Sequence, residues 1–464
     1  MKLNKLMLVA LLIGAIFTSC SNDDDISGSS ISEIRIQSAQ DTYDETVGNA
    51  MFNIISTQTF AADVEITYSV SGTAEAGLDY DALSGSLMLP AGENSIDLVV
   101  SIIDDLDIEN DESLIITLEA VDGSLELISN TNSASITIID NETAPFENGI
   151  LISHEGNFGQ GNASVSFVSY DLQTVENNIY STVNSNPLGD TAQSIGFNGG
   201  LAYIILNATN SIEVVDRYTF ESVATIDTGL NNPRFIAFAN GKGYVTNWGD
   251  GSVATDDYLA VVDLSSNTLT AQTISVAEGP EEIIAGNNTL YVAHQGGFGQ
   301  NNVISVIDAT SDVVSSTITV GDVPNSMQLD NSGNLWVLAG GKPSWTGDET
   351  GGKLSKINTA DNSITSIDFA VTEHPNHLAL DNGSLYYYSA GSVFKMTTSD
   401  TTLPTTAEIT GLSFYGMTVN NSVLYGVDAG DFTSNGTLSS YNLSSNTLDA
   451  NATVNIIPGG IYFN

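Results

Sequence analysis

Pro280-Glu281-Glu282-Ile283-Ile284-Ala285, then Thr289-Leu290-Tyr291-Val292-Ala293, Val303-Ile304-Ser305-Val306-Ile307-Asp308 and Val313-Val314-Ser315-Ser316-Thr317-Ile318, are four β-prone runs in immediate succession. Short Gly/Asn/Asp turns separate them, and no helical period intervenes, so the segment reads as one four-stranded antiparallel unit. The same grammar recurs along the chain. A proline-led or equivalent segment precedes an apolar strand at Ala192, Pro233, Pro280, Pro324, Pro375, Phe414 and Pro458, in steps of 41, 47, 44, 51, 39 and 44 residues. Repeats of that length predict propeller blades of four strands each.

Seven blades are reached only by joining the ends. Gly149-Ile150-Leu151-Ile152-Ser153 begins as a second strand, and Pro458-Gly459-Gly460-Ile461-Tyr462-Phe463 is a first strand without successors. The two are expected to share one blade, which leaves no open edge around the ring. Gly243-Tyr244-Val245-Thr246-Asn247, Leu290-Tyr291-Val292-Ala293 and Leu335-Trp336-Val337-Leu338 resemble the YncE-like, surface-layer YVTN propeller family over residues 148–464.

Residues 32–142 are built differently. Ala62-Asp63-Val64-Glu65-Ile66-Thr67-Tyr68-Ser69-Val70 and Ser95-Ile96-Asp97-Leu98-Val99-Val100-Ser101-Ile102-Ile103 alternate with period two, with Gly and Pro turns at 88–93. About seven such strands predict an immunoglobulin-like β-sandwich. Gly72-Thr73-Ala74-Glu75-Ala76-Gly77-Leu78-Asp79-Tyr80, Ser84-Gly85, Pro90-Ala91-Gly92, Ile102-Ile103-Asp104-Asp105, Glu109-Asn110-Asp111-Glu112 and Ser135-Ile136-Thr137-Ile138-Ile139-Asp140 resemble the Calx-β domain along its length. The whole chain is therefore expected to be all-β: a sandwich, then a seven-bladed propeller.

Asp104, Asp105, Asp107, Glu109, Asp111 and Glu112 crowd one loop. Such a cluster repels itself unless a cation neutralises it, and calcium accepts six to eight oxygen ligands in irregular geometry. The Calx-β resemblance implies calcium ligands at Glu45, Asp79, Asp104, Asp105, Glu109, Glu112 and Asp140. The usual closing run of aspartates is here Asp140-Asn141-Glu142, one charge short, which puts a second ion in doubt. A solvated acidic edge is the alternative.

Ten Lys and Arg against 56 Asp and Glu give a net charge of −46, which excludes phosphate-backbone binding and hence a nucleic-acid partner. Cys20 is the sole cysteine, so no disulfide and no thiolate metal site can form. It follows Lys2, Lys5 and an apolar run over 6–17 that is too short for a membrane-spanning helix of roughly 20 residues. Residues 1–19 resemble a bacterial lipoprotein signal peptide with Cys20 as the lipidated residue. The linker over 20–31, with Ser21-Asn22-Asp23-Asp24-Asp25, is similar to the acidic tag of surface-exposed lipoproteins. A lipid-anchored, outer-membrane, cell-surface location is the expectation. An ordinary signal peptide and a plain acidic spacer are the alternatives.

In a propeller the loops before first strands and the loops between second and third strands emerge on one face. All four histidines map there: His154 and His294 end second strands, and His374 and His377 flank Pro375. Trp248 and Trp345 lie in its long loops, while Trp336 reads as core. His154-Glu155-Gly156-Asn157-Phe158-Gly159-Gln160-Gly161-Asn162 is echoed by His294-Gln295-Gly296-Gly297-Phe298-Gly299-Gln300-Asn301-Asn302. Long loops carrying aromatics on a rigid ring are where binding concentrates. The candidate ligand site is Phe158, Gln160, Trp248, His294, Phe298, Trp345, His374, His377 and Tyr415.

No Gly-x-Ser-x-Gly, His-Glu-x-x-His or second cysteine is present, so a binding module is expected rather than an enzyme. A propeller lipoprotein of this kind resembles the BtuG-type proteins, which implies capture of a corrinoid for a TonB-dependent transporter. Adhesion through a glycan or matrix protein is the rival class. A lactonase- or quinone-type propeller enzyme is a weaker third.

Overall fold

A computed structural model describes residues 32–105, 108–109, 111–121, 125–127 and 130–464. Cys20, the signal peptide and linker over 1–31, and Asp107 lie outside the described residues. The chain divides into two units, 1–143 and 144–464.

The first unit is a β-sandwich. Its strands are β1 (Ser32–Ser38), β2 (Thr42–Asp44), β3 (Asn49–Ser56), β4 (Val64–Gly72), β5 (Ser86–Leu89), β6 (Ser95–Ser101), β7 (Glu112–Val121), β8 (Leu125–Leu127) and β9 (Ser133–Ile139). Nine strands are described where about seven were expected, because β2 and β8 are three-residue edge pieces that add parallel pairs to β9 and β1. One sheet runs β6-β3-β1-β8 and the other β2-β9-β7-β4-β5. Alternation does the sorting: along β3 every second residue is buried, which places Phe52 and Ile54 against Ile66, Leu114, Ile116 and Ile136. Full burial of such side chains stabilises by roughly 1.5–3 kcal/mol each.

The second unit contains seven four-stranded antiparallel sheets. The strand Pro458–Phe463 lies against Gly149–His154, so the last strand completes the first blade as the repeat count required. Asn464 secures it: its amide donates to Gly149 O at 2.8 Å, and Arg217 Nε donates to its Oδ1 at 2.7 Å. Blade one has a short outer strand, the dipeptide Val175–Glu176, and a short helix, α1 (Ile179–Asn184), follows it. Ile179 and Tyr180 of α1 pack into the core beside Phe220, and Tyr180 donates to Glu213 Oε2 at 3.1 Å.

Second strands are buried on both faces because each sheet is sandwiched between neighbours, which explains continuous runs such as Lys242–Asn247. Their aromatics stitch blades together. Tyr244 donates to Asp312 Oδ1 at 2.6 Å and to Ala309 O at 3.1 Å, both in the next blade. Trp336 is core as expected, 3% exposed, with its indole N–H on Asp330 Oδ2 at 2.9 Å.

Candidate functional site

First strands start beside the ends of second strands: Ala192 opposes Leu206, Pro233 opposes Asn247, Pro280 opposes His294, Pro324 opposes Ala339, and Asn376 opposes Tyr388. The loops before first strands and after second strands therefore share one face, as the sequence implied. Immediately after that first pair the register of all five strands slips. The residues left out of the ladder are Gln193, Arg234-Phe235, Glu281-Glu282, Asn325 and His377-Leu378. A bulge bends the strand and re-aims the side chains it frees, and here all but Arg234 line a central cavity of about 450 Å³. Glu155, Gln295, Gln328, Tyr415 and Tyr462 complete much of the wall.

The wall is polar and its charges are organised. Arg234 grips Glu281 with two donors, Nε at 2.9 Å from Oε2 and Nη2 at 2.7 Å from Oε1, and its guanidinium lies 4.3 Å from the centre of the Trp248 ring. Trp248 is fixed from its other end by an N–H bond to Pro280 O at 3.0 Å. Glu155 accepts the Tyr415 hydroxyl at 3.0 Å, and burial raises its carboxyl above the usual range. Glu282 accepts the Met327 amide at 2.6 Å, and burial pushes it up to about 8. His377 adopts a left-handed backbone, φ 55°, and burial lowers its imidazole to about 4, so it is neutral.

Of the nine expected site residues only His377 and Tyr415 line the cavity. Phe158 (80% exposed), Phe298 (77%) and Trp345 (75%) stand out in solvent on loops of that face, with the exposed Gln160. Trp248 sits behind Arg234 and meets Phe298 edge-on at 6.2 Å. His294 is not a rim residue. It is fully buried, Nε2 lies 2.8 Å from Ser305 Oγ, and burial lowers it to about 4; His154 repeats this with Ser166. A residue that ends a strand is still a ladder position, and its side chain goes where the pleat directs it. His374 is a loop clasp, with Nδ1 on Gly340 O at 2.8 Å and Nε2 3.3 Å from Glu349. The acidic clusters able to hold an ion, among the described residues, contain no histidine. Glu155, Gln193, Arg234, Glu281, Glu282, Gln295, Asn325 and Gln328 were missed. The available signal was the polar residue directly after the proline, repeated from blade to blade.

In the sandwich, two groups of carboxylates converge: Glu45, Asp140 and Glu142, and Asp79, Glu109 and Glu112, each with ligand atoms within 4.8 Å of one another. Glu45 is presented by the turn Glu45–Val47, which Asp44 caps through the Thr46 amide at 3.0 Å. Burial first, then Asp140, Asp105 and Glu142, raise Glu45 to about 7; burial and a hydrogen bond with Asp79 raise Glu112 to about 7. Oε2 of Glu112 and Oε2 of Glu142 are buried without a hydrogen-bond partner. The donor set, the mutual repulsion and these two orphaned oxygens fit a hard cation. Five of the seven expected ligands fall in the two groups. Asp104 and Asp105 stand beside them, close enough for both to raise Glu142. Glu142 supplies a carboxylate where the shortened acidic run left a second ion in doubt.

Residues 148–453 match the family described as "Domain of unknown function (DUF5074)". The chain belongs to that family. Residues 30–142 match the Calx-beta domain. A curated relative is sodium/calcium exchanger 1 of Bos taurus, 25% identical over 223 residues, covering 40% of this chain and 21% of the exchanger. The chain thus spans about a fifth of that relative's length. Among solved structures, the apo-form Calx CBD1 domain is 25% identical and aligns over 24% of this chain and 98% of its own, with a TM-score of 0.21. Hydrazine synthase of Kuenenia stuttgartiensis is 15% identical over 65% of this chain and 89% of its own, with a TM-score of 0.45. A Calx-beta sandwich and a DUF5074 propeller together suggest a surface or ligand-binding protein.

Proposed function

We propose that this chain is a cell-surface binding protein of the outer membrane, lipid-anchored through Cys20, in which the propeller captures a corrinoid for a TonB-dependent transporter and the Calx-beta domain is a calcium-stiffened spacer. The observation that carries the reading is the cavity: five inner strands converge freed, mostly polar residues on one 450 Å³ space, on the face whose loops carry exposed aromatics. A wide ligand with a rim of amides and apolar faces needs that combination of Gln, Asn and carboxyl groups with Phe and Trp. His377 adds a neutral imidazole able to meet a metal at the ligand's centre. Binding rather than catalysis is supported by Ser326, a serine of the wall, whose hydroxyl is engaged by the fold: it donates to Asn325 Oδ1 at 2.8 Å and accepts the Leu378 amide at 2.9 Å.

Calcium would be held by Glu45, Asp140 and Glu142 and by Asp79, Glu109 and Glu112, where it would neutralise carboxylates that otherwise repel. Calorimetry of the mature chain with cyanocobalamin, cobinamide and a glycan panel tests the ligand. Heat with a corrinoid supports transport. Heat with a glycan alone shifts the function to adhesion, the reading that Phe158, Phe298 and Trp345, so far out in solvent, favour.

A further inference from the structure

Glu282 stands out among the cavity groups because the fold uses only half of it. Oε2 accepts the Met327 amide across the blade boundary, whereas among the described residues no protein group bonds Oε1, and the residue lines the cavity. Among the described residues no Lys or Arg lines the cavity, and Arg234, on the neighbouring first strand, is held by both oxygens of Glu281. The other groups around it are Glu281 on its own strand, whose charge repels it, Tyr462 from the closing strand, whose phenol burial keeps protonated, and His377, which is neutral. Glu155, across the cavity wall, is already engaged by Tyr415. A carboxyl so placed is more stable as the acid, and the acid has an O–H to give. The wall then offers Gln193, Gln295, Asn325, Gln328 and the Glu282 hydroxyl as hydrogen-bonding groups.

We propose, resting on the reading of the cavity as the ligand site, that it takes a neutral ligand through a carbonyl or carboxamide oxygen that accepts a hydrogen bond from the protonated carboxyl of Glu282, so that affinity is lost when this carboxyl ionises. A cationic ligand would show the opposite dependence, gaining affinity as the carboxylate forms.

Two measurements on the mature chain test this. Infrared difference spectra of wild type against Glu282→Gln at pH 7 should show a protonated-carboxyl band that the variant lacks; its absence overturns the donor assignment whatever the ligand. Titration with cyanocobalamin and cobinamide between pH 6.5 and 9.5 should show wild-type affinity falling about tenfold per unit above pH 8. Glu282→Gln, whose amide can both accept from Met327 and donate into the cavity, should bind within about threefold of wild type at pH 6.5 and stay flat with pH. A flat or rising wild-type profile, or tenfold weaker binding by the glutamine variant at pH 6.5, overturns the inference while leaving corrinoid capture standing. Binding of neither probe overturns corrinoid capture, and the infrared band then decides the donor by itself.

Discussion

Glu281→Ala should destabilise the propeller by about 3–5 kcal/mol, the range for removing one partner of a buried ion pair. The side chains of Arg234 and Glu281 are 15% and 8% exposed, and Glu281 takes two Arg234 donors. Truncation leaves a guanidinium beside the Trp248 face with its closest alternative anion, Glu155, already occupied by the Tyr415 hydroxyl. Trp248 loses the flat cation that packs it, and the bridge between blades three and four is cut. In a domain of this size the loss should lower Tm by roughly 5–10 °C, read by circular dichroism and by tryptophan emission. The companion variant Arg234→Met/Glu281→Leu removes both charges and keeps apolar volume, so most of the lost Tm should return. If Glu281→Ala melts within a degree of wild type, or if the double variant is no more stable than the single one, the pair is not a buried clamp and the argument fails.

Tyr415→Ala, which truncates an aromatic of the cavity wall, should weaken ligand binding by roughly 2 kcal/mol, while Asn331→Ala on the opposite face should change nothing; equal effects in calorimetry would place the site elsewhere. Millimolar calcium should raise the Tm of the Calx-beta unit by several degrees by mass action, and Glu45→Gln with Glu112→Gln should remove that response; identical melts with calcium and with chelator would leave only a solvated acidic edge. Burial holds His154 at about 3 and His294 at about 4, below the unfolded value near 6.5, so the stability they give is whole above pH 6.5 and is lost as pH falls through 6.5 toward 4, by roughly 3 kcal/mol per histidine. Thermal melts between pH 7 and 4.5 should show that loss, and it should shrink in His154→Gln/His294→Gln. Cys20→Ala should leave the protein in the soluble or inner-membrane fraction; continued shaving by protease from whole cells would refute lipid anchoring.

The blade pattern was legible because proline has no N–H and a fixed φ, so it can open a strand but not continue one, and its recurrence marks five of the seven first strands. The sandwich was legible through period-two alternation in β4 and β6. The cavity was not. Alternation assigns Glu281 and Glu282 to opposite sides of a pleat, but the register slip between Pro280 and Ile283 turns both into the channel. A bulge leaves no mark in a single repeat; it becomes visible only when Gln193, Arg234, Glu281 and Asn325 are seen to occupy the same place after the strand start. His294 was misplaced for the converse reason. Its rarity suggested a loop function, whereas its pairing opposite Pro280 made it part of the ladder.

The duplicated loops show what the fold itself requires and what it does not. In each, the histidine anchors to a serine of the third strand, and the loop closes on itself: the Asn157 amide bonds Asn162 Oδ1 at 2.8 Å and the Gln160 amide bonds Asn157 O at 3.0 Å, while the Asn301 amide bonds Gln295 O at 3.0 Å. These bonds hold the loops without Phe158 or Phe298, which remain about four-fifths exposed. An exposed phenylalanine costs solvation and gains nothing from a loop that is already satisfied. Two of them, three blades apart on the same face, are side chains the fold leaves mostly uncovered even where Phe298 touches Trp248 edge-on, and a ligand or partner seated on that face is what would bury them.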